Sequence, residues 1–279
     1  APGLKAMYHE LCKLGEVEVV APSTEQSGVS HSITFLTPLM VGEVSDHGKH
    51  FGWAVEGSPA DCVKIGVHKL CRQRPDLVVS GINRGLNAGV NVLYSGTVAA
   101  AIEAALFGIT SFAVSLEFSG SDRFDRAAVL ARDLIEQILA KDGHETAVWN
   151  MNIPTAALEG TPRVRVAEAD TDTRYIDDYQ ERSDPYGRNY YWLTLQPRDF
   201  TSDDPISDAV ALNRGEITVT PLNFNLTNRA LLEKMKSWDF HAPEAGSLPE
   251  DSADDSAIQS RSKRLGDGIS LDGGVPYDA

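Results

Sequence analysis

The sequence predicts an α/β fold, a mostly parallel sheet with helices on both faces. Three observations carry this. Short apolar runs alternate with helical patterns along most of the chain, the rhythm of parallel strands joined by crossover helices. Residues 78–97, VVSGINRGLNAGVNVLYSGT, pass from an apolar run through a glycine-rich polar loop into the Ala-rich TVAAAIEAALFG. Residues 124–141 read as a long helix with Ala128, Leu130, Ala131, Leu134, Ile135 and Ile138 on one face.

The elements follow in order. Leu4, Met7, Tyr8 and Leu11 keep helical spacing after Pro2, and Gly15 stops the helix. No strand precedes this helix for its apolar stripe to cover. EVEVVAP, from Glu16, reads as a strand ending at Pro22, and a polar loop with Ser23, Ser27, Ser30, His31 and Ser32 follows. ITFLTPLMV and HFGWAVEG are expected as two strands around the turn Asp46-His47-Gly48. In Ser58-Pro59-Ala60-Asp61 a cap serine and a first-turn proline precede an acid three residues past the cap. Asp61 is therefore expected to cap a helix running to about Leu70 rather than to act in catalysis.

Leu77-Val78-Val79 is a strand expected to end at Ser80, and the next helix runs from Thr97 to near Gly108. TSFAVSL, from Thr110, and AVWNMNIP, from Ala147, are buried strands. Residues 168–196 break the rhythm: they are acidic and Tyr-rich and turn at Asp184-Pro185-Tyr186-Gly187, which reads as an extended β-hairpin arm. Tyr and Trp favour interfaces, so the arm is expected to reach a second subunit. A short helix over 203–213, a strand from Glu216 and a closing helix over 228–238 complete the pattern. Residues 241–279 are Ser, Asp, Gly and Pro with few apolar groups and read as a disordered acidic tail. The expected architecture is three-layer α/β/α with a Rossmann-like, mostly parallel sheet.

Composition narrows the function. The hydrophobic fraction of 42% is ample for a core, and no apolar run approaches the roughly 20 residues of a membrane span. Cys12, Cys62 and Cys71 share no metal-ligand spacing, so reduced thiols in a cytoplasmic protein are expected. A net charge of −15 argues against a nucleic-acid polymer as partner.

The loop between residues 78 and 97 has the layout of an anion site. Its glycines let backbone approach a ligand, and the start of the following helix offers free N–H groups and a positive dipole end. It is neither the dinucleotide fingerprint nor the Walker loop: there is no GxGxxG and no Gly-Lys-Ser/Thr. In an open parallel sheet, ligands sit beyond the carboxyl ends of strands. Ser27 and Asn83 each follow such an end and carry hard, neutral oxygens suited to Mg²⁺, Mn²⁺ or Ca²⁺. No carboxylate pair stands at an identifiable strand end in this stretch. His31 reads either as a proton donor or as a solvated loop residue, and Ser95 has no adjacent base to make it a nucleophile.

The chain resembles the SurE family of metal-dependent nucleotidases. The matching stretches are APG at Ala1, VVAP at Val19, QSGVSHSIT around Ser27, GSPADCV at Gly57, PDLVVSGINRGLN at Pro75, YSGTVAAAIEA at Tyr94, the DPYGRNYYW hairpin and ITVTPL at Ile217. The resemblance implies one α/β domain over 1–240, with the hairpin arm inside it. In the family pattern a strand ending in Asn-Asp-Asp-Gly stands just before the segment matching Ala1, and its aspartates are the acidic metal ligands. The sequence given starts after them, so the first strand and that pair are expected to be missing from it.

Carried over residue by residue, the resemblance implies metal ligation by Ser27 and Asn83, and phosphate binding by Asn87, Ser95, Gly96 and Thr97. It implies one Mg²⁺ or Mn²⁺ per subunit, a nucleoside monophosphate as substrate, and a homodimer or homotetramer built through the arm. The implied activity is a 5′/3′-nucleotidase, a phosphomonoesterase in which metal-assisted water attacks phosphorus, with no protein nucleophile. The chain as given is expected to be impaired by loss of the Asp-Asp pair. The alternative from another class is a non-catalytic nucleotide or phosphate binder.

Overall fold

The computed structural model describes residues 1–118, 120, 123–142, 146–170, 177–195 and 206–242. In chain order these form α1 (Pro2–Leu11), β1 (Val20–Pro22), β2 (Val41–Asp46), β3 (Lys49–Val55), α2 (Pro59–Ile65) and β4 (Leu77–Arg84). There follow α3 (Gly96–Leu106), β5 (Thr110–Leu116), α4 (Phe124–Asp142), β6 (Val148–Ile153) and β7 (Val164–Val166). The last are β8 (Asp177–Ser183), β9 (Asn189–Leu195), α5 (Asp208–Asn213), β10 (Ile217–Leu222) and α6 (Arg229–Met235). The tail beyond Ala242 and the ends of the expected arm lie outside the described residues. Packing divides the chain into two units, Ala1–Asn225 and Leu226–Ala279. In the second, Asn228 caps α6 by accepting the Leu231 N–H at 2.9 Å. No described helix is long and apolar enough to cross a membrane.

The main sheet runs β4-β5-β6-β10-β7. Its β4, β5 and β6 are parallel, β10 is antiparallel to β6, and β7 pairs parallel with β10. Side chains alternate across a strand, and here the two faces differ in chemistry. Phe112, Val114, Leu116, Met151, Ile153 and Val219 point to one face, where Met7 of α1 and Phe124, Ala127, Ala128, Ala131 and Ile135 of α4 close over them. The opposite face carries Ser111, Ser115, Asn150, Asn152, Thr218 and Thr220, all buried. There α3 lays Val98, Ala101 and Ala105 on Ala113 and Val148. Small side chains on both sides let the helix come close. The three-layer, mostly parallel arrangement is therefore the one the alternation foretold.

Two strand assignments ahead of α2 differ from expectation. The first strand, β1, does not join the main sheet: it pairs parallel with β3 in a separate sheet of order β1-β3-β2. The segment expected as a strand over 33–41 is not one, and β2 begins only at Val41. Its backbone is claimed elsewhere. The Thr34 N–H donates to Asp61 Oδ1 at 2.9 Å and its hydroxyl to Oδ2 at 2.8 Å, while Pro38 removes a ladder donor. The turn was legible: His47 and Gly48 both have positive φ, the two-residue hairpin geometry that suits twisted strands. The arm is an antiparallel hairpin, β8 against β9, and the Asp184 carboxylate accepts the Tyr186 and Arg188 N–H groups at its turn.

Asp61 is the capping acid the sequence indicated. It accepts the Ser58 N–H at 2.9 Å while Ser58 Oγ accepts the Asp61 N–H at 3.1 Å. Burial raises its carboxyl pKa, but the bonds from Thr34 and Ser58 outweigh burial and leave it below the ordinary 3.8. A depressed acid stabilises the fold fully above its unfolded value and stops doing so as pH falls through the folded value. Asp61→Asn should therefore cost about 1.5–3 kcal/mol in urea denaturation at neutral pH. The gap to wild type should close only as the pH is taken below 3.8.

Candidate functional site

Three segments converge on the start of α3. Ser95 is its N-cap: its Oγ accepts the Val98 N–H at 3.1 Å, and its carbonyl accepts the Ala99 N–H at 3.0 Å. The amides of Gly96 and Thr97, the first two of the helix, have no intrahelical acceptor and meet no other acceptor among the described residues. Gly96 is buried where other elements press on the helix end. A Cβ there would lie 2.9 Å from Pro59 Cγ at the start of α2 and 3.0 Å from Val29 Cγ2. Ser30 fastens the loop that carries Val29: its N–H donates to the Tyr94 carbonyl at 3.0 Å and its hydroxyl to the Leu93 carbonyl at 2.7 Å. Ser27, exposed in that loop, is thereby held in the segment that meets the helix end.

The strand side of the site is built differently from expectation. β4 does not end at Ser80. The register slips between Ser80 and Asn83, and the strand resumes to Arg84 with Asn83 paired to Ser115. Asn83 Nδ2 donates to the Gly85 carbonyl at 2.8 Å, and among the described residues no donor meets its Oδ1. Asn87 is turned inward. Its N–H donates to Asn152 Oδ1 at 2.7 Å and its Nδ2 to Ser115 Oγ at 2.7 Å. Its carbonyl accepts from Asn150 Nδ2 at 2.8 Å and Asn152 Nδ2 at 3.2 Å. As a phosphate ligand Asn87 would offer its second amide N–H.

Sequence reasoning missed Ser115, Asn150 and Asn152, which hold the loop from beneath. The signal was present: in VWNMNI the asparagines alternate with Trp149, Met151 and Ile153, and a buried polar side chain needs a partner. Among the described residues, Asn150 Oδ1, Thr218 Oγ1 and Thr220 Oγ1 are buried on this face without one. His31 lies exposed in its loop, as expected, but it is anchored. Its Nε2 lies 2.7 Å from Oε2 of the buried Glu103 on α3, whose Oε1 accepts from Lys64 Nζ at 2.9 Å. Both contacts tie the Ser27 loop and α2 to the flank of α3. The three cysteines are free, and burial with the charge of Asp61 pushes the Cys62 thiol up to about 12.

The metal the resemblance implies is only partly provided for. Ser27 and Asn83 give two neutral oxygens, and a divalent ion needs one or two carboxylates as well. Among the described residues no group of three or more His, Cys, Asp and Glu could hold a metal ion. The described residues therefore do not make a complete metal centre. Titration of Mn²⁺ into this chain should give a dissociation constant weaker than about 0.1 mM by the ligand-charge argument. Micromolar binding by calorimetry would show that other ligands hold the ion.

Comparison with known proteins gives matches over most of the chain. A family profile described as "Survival protein SurE" matches residues 1–174. A protein of Rhodopirellula baltica named "5'-nucleotidase SurE" is 53% identical over 241 residues, covering 86% of this chain and 94% of the relative. One of the same name from Syntrophobacter fumaroxidans is 42% identical over 240 residues, covering 86% and 95%. Among solved structures, the SurE protein from Aquifex aeolicus superposes with a TM-score of 0.73 at 34% identity, covering 85% of this chain and 94% of that one.

Proposed function

The chain belongs to the SurE family, and from that premise we propose that it hydrolyses nucleoside monophosphates to nucleoside and phosphate. The observation that carries this reading is the start of α3. Two amides unclaimed among the described residues, the neighbouring Ser95 and Thr97 side chains and the positive end of an 11-residue helix stand together there beside the Ser27 loop. Such an arrangement binds a phosphoryl group and stabilises the charge that builds on its oxygens during transfer. Ser95 accepts from Val98 through a lone pair, so its O–H stays free to donate to phosphate. Water is the attacking group, and no described residue is assigned as a covalent acceptor.

One Mg²⁺ or Mn²⁺ per subunit is part of the same reading, with Ser27 and Asn83 as two of its oxygen ligands; when bound, such an ion polarises the phosphoryl group and acidifies water. The described residues fall short of a full coordination shell, and what they do themselves is bind and orient the phosphoryl group. The same shortfall supports the second reading, a phosphate or nucleotide binder without turnover. A cytoplasmic location is proposed with the enzyme reading.

Phosphate release from AMP with Mn²⁺ present separates the two, since binding without release favours the binder. In either case Thr97→Val should weaken AMP or orthophosphate binding by about 1.5–3 kcal/mol, roughly ten- to a hundredfold, if the hydroxyl donates to a charged oxygen. Its melting temperature should stay close to wild type, because Ser95 and not Thr97 is the cap. Normal binding by Thr97→Val would remove the phosphate role from this turn.

We propose too that the chain forms a homodimer or homotetramer through its arm. Tyr179, Tyr191 and Leu193 lie on one face of the hairpin and Tyr190 and Trp192 on the other, all exposed. Apolar groups on both faces suit a hairpin enclosed by a partner. Deleting residues 173–193 should reduce the mass measured by light scattering; a full chain that is already monomeric at micromolar concentration contradicts the arm's role.

A further inference from the structure

Asp208, the first residue of α5, is 0% exposed. Its carboxylate is shared between two distant stretches of backbone. Oδ2 accepts the Gly89 N–H at 2.8 Å, and Oδ1 accepts the Asp170 N–H at 3.0 Å. The two stretches also touch directly: a Cβ on Gly89, whose φ is +57°, would sit 2.7 Å from the Asp170 carbonyl oxygen. Asp170 is fixed in turn, its Oδ2 accepting from Ser207 Oγ at 2.8 Å. Backbone bonds from Glu168 N–H to the Ile206 carbonyl at 2.8 Å and from Asp208 N–H to the Glu168 carbonyl at 2.9 Å zip the segments together.

Gly89 opens the short 3₁₀ turn Gly89–Leu93. The far end of that turn supplies the carbonyls that hold Ser30, and Ser95 follows within two residues. The turn thus has one end on Asp208 and the other on the phosphate site. Two residues before it, the Asn87 N–H is fixed by Asn152. A buried carboxylate is costly unless its bonds are needed. Burial drives the Asp208 carboxyl above its ordinary pKa, even though the Gly89, Asp170 and Ala209 amides pull it down, and the Asp170 charge adds to the rise.

We propose that Asp208 is a positioning residue for the phosphate site: it sets the Gly89–Leu93 turn, and with it the aim of the Gly96 and Thr97 amides, from the two strands of chain that flank the arm. The inference rests on the phosphate reading of the start of α3. Asp208→Asn keeps the shape but turns an NH₂ towards one of the two N–H donors. Orthophosphate affinity should fall about tenfold or more, and amide exchange over residues 85–94 should quicken by a similar factor. Exchange in α4 and β5 should be unchanged.

The outcomes separate cleanly. If the wild-type chain binds no orthophosphate, the phosphate reading fails and takes this proposal with it. If wild type binds and Asp208→Asn binds equally well, only this proposal fails. Uniformly faster exchange across the core peptides also overturns it, because that marks a general loss of stability. Should Asp208→Asn not fold, residue-resolved exchange on the wild-type protein decides. The Gly89 and Asp170 amides must then exchange as slowly as the core strands, and rapid exchange of either contradicts the tie.

Discussion

A side chain at Gly96 would fill the space in which Pro59 and Val29 meet the first turn of α3, at 2.9 Å and 3.0 Å from the new carbon. The rest of the candidate site depends on that close approach. It allows the start of α2, the serine-rich loop and the start of α3 to meet, so that the loop's oxygens and the helix's amides can act on one ligand. The surrounding bonds serve the same junction. Ser30 holds the loop to Leu93 and Tyr94, His31 and Lys64 hold it and α2 to Glu103, and Asp61 holds Thr34 to Ser58. Each pairs a buried or half-buried polar group with a specific partner, which makes the geometry directional in a way that apolar packing alone would not.

Much of this was legible because the relevant signals are local. The capping box at Ser58 and Asp61, the turn at His47-Gly48 and the strand-to-helix passage into α3 are each set by a few adjacent residues whose backbone demands are strong. Family membership was legible too, since its motifs run in order along the chain. The errors arose where a residue's partner is far away in sequence. Residues 33–40 have strand-like composition but give Thr34 to Asp61, 27 positions on. Gly81 suggests the end of a strand, yet β4 slips and continues to Arg84, because Asn83 and Arg84 find their places beside Ser115 and Leu116. Nor could His31 be assigned to Glu103, 72 positions away, without the fold.

The polar face of the main sheet is the least obvious part of the architecture. Sequence periodicity marks Asn150 and Asn152 as one face of a strand, but it does not say that this face carries the loop of the candidate site. In the folded chain both asparagines take hold of the Asn87 backbone. The sheet thus uses one side for apolar cohesion under α1 and α4, and the other to fix the backbone of the loop that leads to the candidate site.

That division bears on how the molecule comes apart. Apolar burial is non-directional and tolerates small shifts, whereas buried hydrogen bonds are lost once their geometry slips. The α3 side also keeps Asn150 Oδ1, Thr218 Oγ1 and Thr220 Oγ1 without partners among the described residues. Local opening should therefore begin on this side while the α1 and α4 side stays closed. A ligand that binds only the closed form draws this weaker half shut by mass action. The gain in melting temperature on adding phosphate or nucleotide then measures the coupling between occupancy and the integrity of half the fold, and heat becomes a direct reporter of what the loop holds.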